Sequence, residues 1–125
     1  MCPSSLQAQL AQFHGSATRS RHAVVPSVLM TEGVVFLAQT AGAHWFTDVV
    51  ASYIHDAHAS QEEFQVWRLM VDVGTHTSVI TMTDGDSDEA IVTQVLDYTD
   101  FSLADITVWL VRAGRSWVML LPSEY

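Results

Sequence analysis

The 125-residue chain contains no lysine. Its five basic side chains, all arginine, face 14 acidic ones, for a formal net charge of −9. Binding to a phosphate backbone depends on clustered positive charge, so direct contact with nucleic acid is not expected. There is one cysteine, Cys2, which excludes an internal disulfide framework. No stretch approaches the ~20 uninterrupted apolar residues that a membrane-crossing helix needs. The first residues lack the basic and apolar pattern of a secretory leader, so the expected location is the cytoplasm. A phosphate loop, a GxGxxG fingerprint, a GxSxG nucleophile elbow, an HExxH motif and paired cysteines are all missing. No cofactor is implied.

What is present is apolar and aromatic. Hydrophobic residues make up 49% of the chain and four of them are Trp, which argues against disorder. The length suits one domain over residues 1–125. The charge is uneven. Residues 1–30 hold Arg19 and Arg21 and no acid, and residues 31–111 hold 13 acids against Arg68 alone. The tail carries Arg112, Arg115 and Glu124. Either the ends pack on the acidic middle, or the middle faces a basic partner, or the charge serves solubility alone.

Ser4 and Ser5 can cap a short helix from Leu6 to about Phe13, with Leu6, Leu10 and Phe13 on one face. Residues 17–22 are polar. Val24–Met30 is apolar but interrupted by Pro26, which makes it an edge strand at best. Thr31 is a candidate N-cap for a long helix running to about His58, with Glu32 placed to complement its dipole. Leu37, Ala41, Trp45 and Val49 form its apolar stripe, and the small residues Ala38, Ala41, Gly42 and Ala43 allow close approach at mid-helix.

The second half alternates as strands do: Phe64–Val73, Thr77–Thr83, Glu89–Leu96, Ile106–Val111 and Trp117–Leu121. Asp84-Gly85-Asp86 is a hairpin turn signal, and Gly114 joins the last two strands. The expected fold is α+β. It is a two-layer domain with a long central helix and a short N-terminal helix on a mostly antiparallel sheet of four to five strands.

Several side chains are candidates for chemistry or binding. Asp84, Asp86, Asp88 and Glu89 are a candidate interaction surface for a basic partner, and the first three begin like a calcium loop. However, the sixth position is Glu89 rather than Gly and the twelfth is Val95 rather than Glu, so an acidic hairpin tip is the better account. His55, His58 and Glu62 fall at turn spacing, alongside His44 and Asp48 on the outer helix face. They are weak candidates for a metal, because any solvated helix face carries such residues. Cys2 lies near the terminus, away from any fixed base. His14, Arg21, His22, His44 and Glu124 form a candidate ligand or polar cluster if the ends of the fold meet. Trp45 reads as core. Arg112, Arg115 and Trp117 have a claim as an interaction patch, with Trp117 the Trp expected to be partly exposed. Asp100 is placed to cap the turn that follows it, Tyr125 is expected to dock, and Glu124 to pair with Arg19 or Arg21.

A set of short motifs then stands out: Phe13-His14-Gly15-Ser16, Arg21-His22, Thr31-Glu32-Gly33-Val34 and Ala41-Gly42-Ala43-His44-Trp45. They continue with Phe64-Gln65-Val66-Trp67, Asp84-Gly85, Thr99-Asp100-Phe101 and Leu121-Pro122-Ser123-Glu124-Tyr125. Together they resemble a small prokaryotic family of unknown function, carried in bacteria and on mobile elements, over nearly the whole chain. The resemblance implies one complete family domain and no chemistry. The chain departs from the family at Ser102, where relatives tend to have Pro, and in a thinner set of basic residues.

Two readings of function follow, with a third beside them. In the first, the chain is a non-enzymatic protein-interaction module, an inhibitor or regulator of a basic partner. In the second, it is a small hydrolase or ligand-binding protein using the His/Arg cluster. The third is a structural homodimer formed through the sheet or the long helix.

Overall fold

A computed structural model of the protein describes residues 19–22, 25–42, 44–57, 59–72, 74–86, 89–96 and 105–124. The helix expected over residues 6–13 lies outside them, as do Cys2, His14, His58, Asp88, Asp100 and Tyr125. The elements run β1 (Arg19–Arg21), β2 (Val28–Thr31), α1 (Glu32–Ala41), α2 (His44–Ser52), two 3₁₀ turns (Tyr53–His55 and Ala59–Gln61), β3 (Phe64–Asp72), β4 (Thr77–Thr83), β5 (Val92–Leu96), β6 (Asp105–Ala113), β7 (Ser116–Leu120) and a last 3₁₀ turn (Pro122–Glu124).

This is an α+β fold with helices packed on a mixed sheet. The sheet has seven strands rather than four to five, in the order β1-β2-β7-β6-β3-β4-β5. Two N-terminal strands account for the difference. β1 reads Arg-Ser-Arg and has no apolar alternation to announce it. β2 is not an edge: it lies between β1 and β7, antiparallel to the first and parallel to the second. Pro26 stays in the turn ahead of β2, so its missing N–H removes nothing from the ladder. The other strand pairs are antiparallel.

The expected long helix is two helices. Gly42 takes a left-handed φ of 64° and its N–H returns to the Ala38 carbonyl, which closes α1. The residues expected to ease close packing at mid-helix therefore contain the break. The strand expected from Glu89 begins at Val92, after a longer connection from Asp84.

The core lies between the helices and one face of the sheet. Val34 and Leu37 of α1 and Phe46 and Val50 of α2 meet Trp67, Leu69, Ile80, Met82, Val108, Leu110 and Met119, all buried. Each such side chain contributes about 1.5–3 kcal/mol by leaving water. Strand parity decides the rest. Leu110 pairs with Met119 toward the helices, so Arg112 and its partner Trp117 share that side. Trp117 is consequently buried, against its expected exposure, and Trp109 is the half-buried tryptophan on the opposite face. On β7 both faces are buried. On β3, β4 and β6 the positions facing away from the helices are half-buried or exposed.

Candidate functional site

The motifs at the two ends of the chain meet. The side chain of Glu124, only 6% exposed, reaches the start of α1. Its Oε1 accepts from Thr31 Oγ1 at 2.5 Å and from Leu121 N–H at 3.0 Å, and its Oε2 accepts from Gly33 N–H at 3.2 Å. Thr31 holds the N-cap position of α1 without capping through its own side chain, because its hydroxyl is turned to Glu124. The carboxylate does the capping instead, where the helix dipole favours negative charge. These partners take the place of the Arg19 or Arg21 expected for Glu124.

His22 is 3% exposed, and both of its ring nitrogens are engaged by the chain. Val25 N–H donates to Nδ1 at 3.0 Å, so that nitrogen carries a lone pair. Nε2 therefore holds the proton and donates it to Asp48 Oδ1 at 2.7 Å. A general base needs a nitrogen free to take a proton from substrate, and in this arrangement neither is. His22 ties the loop between β1 and β2 to α2. Arg21 is exposed and donates to the Pro26 carbonyl at 3.1 Å, while His44 is exposed at the start of α2. The geometry thus brings His22 to Asp48 and Glu124 to Thr31 and Gly33.

The Phe64-Gln65-Val66-Trp67 motif encloses a third buried polar group. The Gln65 amide donates to the carbonyls of Ala59 at 2.9 Å and Glu62 at 3.0 Å, and its oxygen accepts from the Trp67 indole N–H at 2.8 Å. A fully buried Gln is thereby satisfied, and the 3₁₀ turn before β3 is fixed to the strand.

The remaining sequence candidates lie at the surface or on the sheet margins. Asp84, Asp86 and Glu89 sit in the loop between β4 and β5. Asp84 Oδ1 accepts from Asp86 N–H at 2.9 Å, and Gly85 takes a φ of 86°. Arg112 stacks over the buried Trp117 ring at 5.3 Å and donates to the Gly114 carbonyl, and Arg115 is exposed. α2 ends at Ser52, so His55 and Glu62 share no helix: His55 ends one 3₁₀ turn and Glu62 follows the other. Among the described residues, no three His, Cys, Asp or Glu side chains are placed to hold a metal ion.

The feature that motif reading missed is the sheet face turned away from the helices. Phe64, Val66 and Met70 of β3, Val79 of β4 and Trp109 of β6 are half-buried there. Register sets Met70 beside Val79, and Val79 beside Val95 of β5, which is 66% exposed. A cavity of about 560 Å³ opens among Val66, Arg68, Met70, Thr81 and Trp109. Arg68, on its wall, forms a two-pronged ion pair with Asp105, Nε to Oδ1 at 3.0 Å and Nη2 to Oδ2 at 2.5 Å. Hydrogen bonding to Asp105, then its charge, holds the guanidinium pKa above its usual value. Any stability linked to that shift is present below the ordinary arginine range and unaffected near neutrality. The signal for this face was already in the alternation of β3 and β4, whose outward positions carry Phe, Val and Met where a solvated face carries charge.

Comparison with characterised proteins and with solved structures yields no match. A family model matches residues 4–125, which include every motif described above, and its description is "Family of unknown function (DUF6876)". Since that match takes in both the Thr31-Glu32-Gly33 corner and the C-terminal Glu124 that closes it, the chain belongs to this family of unknown function.

Proposed function

We propose that the protein is a non-catalytic interaction module acting in the cytoplasm, and that the outward face of β3, β4, β5 and β6 binds a protein partner with a basic margin. The observation that carries this reading is the composition of that face. A Trp, a Phe, a Met and an Arg share one half-exposed surface with three Val, and aromatic residues, Met and Arg are the types enriched where proteins meet. Asp84, Asp86 and Glu89 of the loop before β5, with Glu63 next to Phe64, border one end of it and supply the match for basic residues on the partner. The engagement of both His22 nitrogens supports the non-catalytic side of the reading. Regulation or inhibition of a basic protein by occlusion is the mode that such a surface suits.

The test is affinity capture from a lysate of the source organism, with the wild-type protein beside Val79→Glu and Arg115→Ala. A basic protein retained by the wild type and by Arg115→Ala, released by salt and lost with Val79→Glu, is the expected outcome. The same proteins on wild type and Val79→Glu would overturn the proposal.

A further inference from the structure

The two edges of the sheet are unlike. β1, at one edge, places Arg19 and Arg21 in three residues. Charge on an edge strand is a common defence against pairing with another chain. β5, at the other edge, reads Val-Thr-Gln-Val-Leu, with no charge, Pro or Gly, and its neighbour β4 is also uncharged. In a chain of net charge −9, this is a neutral stretch of sheet. Val95 in β5 is also the exposed large apolar side chain among the described residues, at 66%.

We infer that β5 is a self-association edge, on which a second copy of the chain pairs antiparallel about a two-fold axis at Gln94. A two-fold dimer makes each patch meet itself. Pairing must also keep the helix-side residues of both copies on one face, which requires a register centred on a residue rather than between two. Centred on Gln94, Val92 lies opposite Leu96 of the second copy and Thr93 opposite its Val95, so the exposed Val95 gains a cross-strand neighbour. Val92, Gln94 and Leu96 are the less exposed alternate set of β5, so this register preserves the existing division of faces. Antiparallel pairing also sends the two Asp84–Glu89 loops to opposite ends of β5. Five residues at about 3.4 Å each separate them by about 17 Å, roughly twice the screening length at physiological salt. A parallel arrangement would bring the two acidic loops side by side. The paired strand itself, Val92–Leu96, carries no charge. The product is one continuous sheet of two copies, and the inference does not depend on the partner proposed above.

Light scattering on the full chain reads the state directly. A mass of twice 13.8 kDa is expected for the wild type and for Trp109→Ala, whose change lies on the outward face away from the edge. Val95→Lys is expected to halve that mass with an unchanged circular dichroism spectrum. Register is read by disulfide trapping in a Cys2→Ser background. Gln94→Cys, on the axis, crosslinks to its copy under mild oxidation, whereas Asp56→Cys, exposed and off the sheet, does not. A wild-type mass of 13.8 kDa at the highest soluble concentration overturns the inference. So does a dimer that resists Val95→Lys but falls apart with Trp109→Ala. If Val95→Lys fails to fold, absence of the Gln94→Cys crosslink overturns it on its own. Loss of partner capture with Val79→Glu reports on the outward face and leaves the mass measurement untouched.

Discussion

The carboxylate of Glu124 occupies the space into which any side chain at residue 33 would project. A Cβ placed on Gly33 comes 2.5 Å from Glu124 Oε1 and 2.7 Å from Leu121 Cδ1. Gly33 is helical rather than left-handed, so its requirement for glycine is one of room and not of backbone angle. Gly33→Ala should therefore destabilise the fold by about 1–3 kcal/mol, the usual cost of overpacking, despite the better helix propensity of Ala. Glu124→Ala should cost a similar amount, because it leaves the Gly33 and Leu121 N–H groups and the Thr31 hydroxyl without their acceptor. The double variant should cost less than the sum, since removing the carboxylate makes room for the methyl group. Urea denaturation of the three variants checks this, and strict additivity would contradict it.

His22→Ala should be more damaging than Asp48→Ala. The imidazole is buried and serves two partners, Val25 N–H and Asp48, whereas Asp48 is 56% exposed and pairs with the imidazole. A loss of about 2–3 kcal/mol is expected for His22→Ala, through the unsatisfied Val25 N–H and the vacated volume. Asp48→Ala should lose about 1 kcal/mol or less, since water replaces an exposed partner. Equal losses in chemical denaturation would show that the two residues act otherwise.

Gln65→Leu preserves bulk but strips the acceptor from the Trp67 indole N–H and the side-chain donor from the Glu62 carbonyl, while the Ala59 carbonyl keeps the Glu62 N–H. Each stranded buried group costs about 1–3 kcal/mol. The expected result is a marked fall in denaturation midpoint, with a change in the tryptophan emission as the Trp67 hydrogen bond is lost. A variant as stable as the wild type would mean that water takes over these bonds.

Ser78 is the opposite case. Its hydroxyl is buried without a hydrogen-bond partner, facing the helix layer beside Ile80 and Met82. Removing a buried polar atom that makes no bond relieves its desolvation cost. Ser78→Ala should be neutral or stabilising by up to about 1 kcal/mol, and a clear loss of stability would reveal a partner for the hydroxyl.

What could be read in the sequence was local. Thr77–Thr83 shows its strand from end to end because apolar residues alternate through it, whereas β3 is apolar on both faces and Arg68 marks the outward one. The fold class followed from helical and then alternating patterns. The helix break did not, because Gly42 lies among alanines whose periodicity continues across it and only its left-handed φ ends α1. β1, and the internal place of β2, were illegible for a different reason: a three-residue polar strand and a parallel pairing with β7 are specified by tertiary neighbours, not by local pattern. Of the candidate cluster, His22 and Glu124 were chosen by residue type. Their partners Asp48 and Gly33 lie 26 and 91 residues away along the chain, and no spacing rule reaches so far.

The parallel pairing of β2 with β7 joins residues 28–30 to residues 117–119, and Glu124 must then reach back to Gly33. A ribosome therefore releases the first strands long before their neighbour exists. The antiparallel strands β3, β4 and β5 can pair as they emerge, because their contacts are near in sequence. The N-terminal strands must wait until β7 has left the tunnel, and α1 keeps an uncapped N-terminus until Glu124 has followed it. Completion of this fold thus waits on the segment that carries β7 and Glu124. A chain cut before Glu124 would lack the group that closes α1.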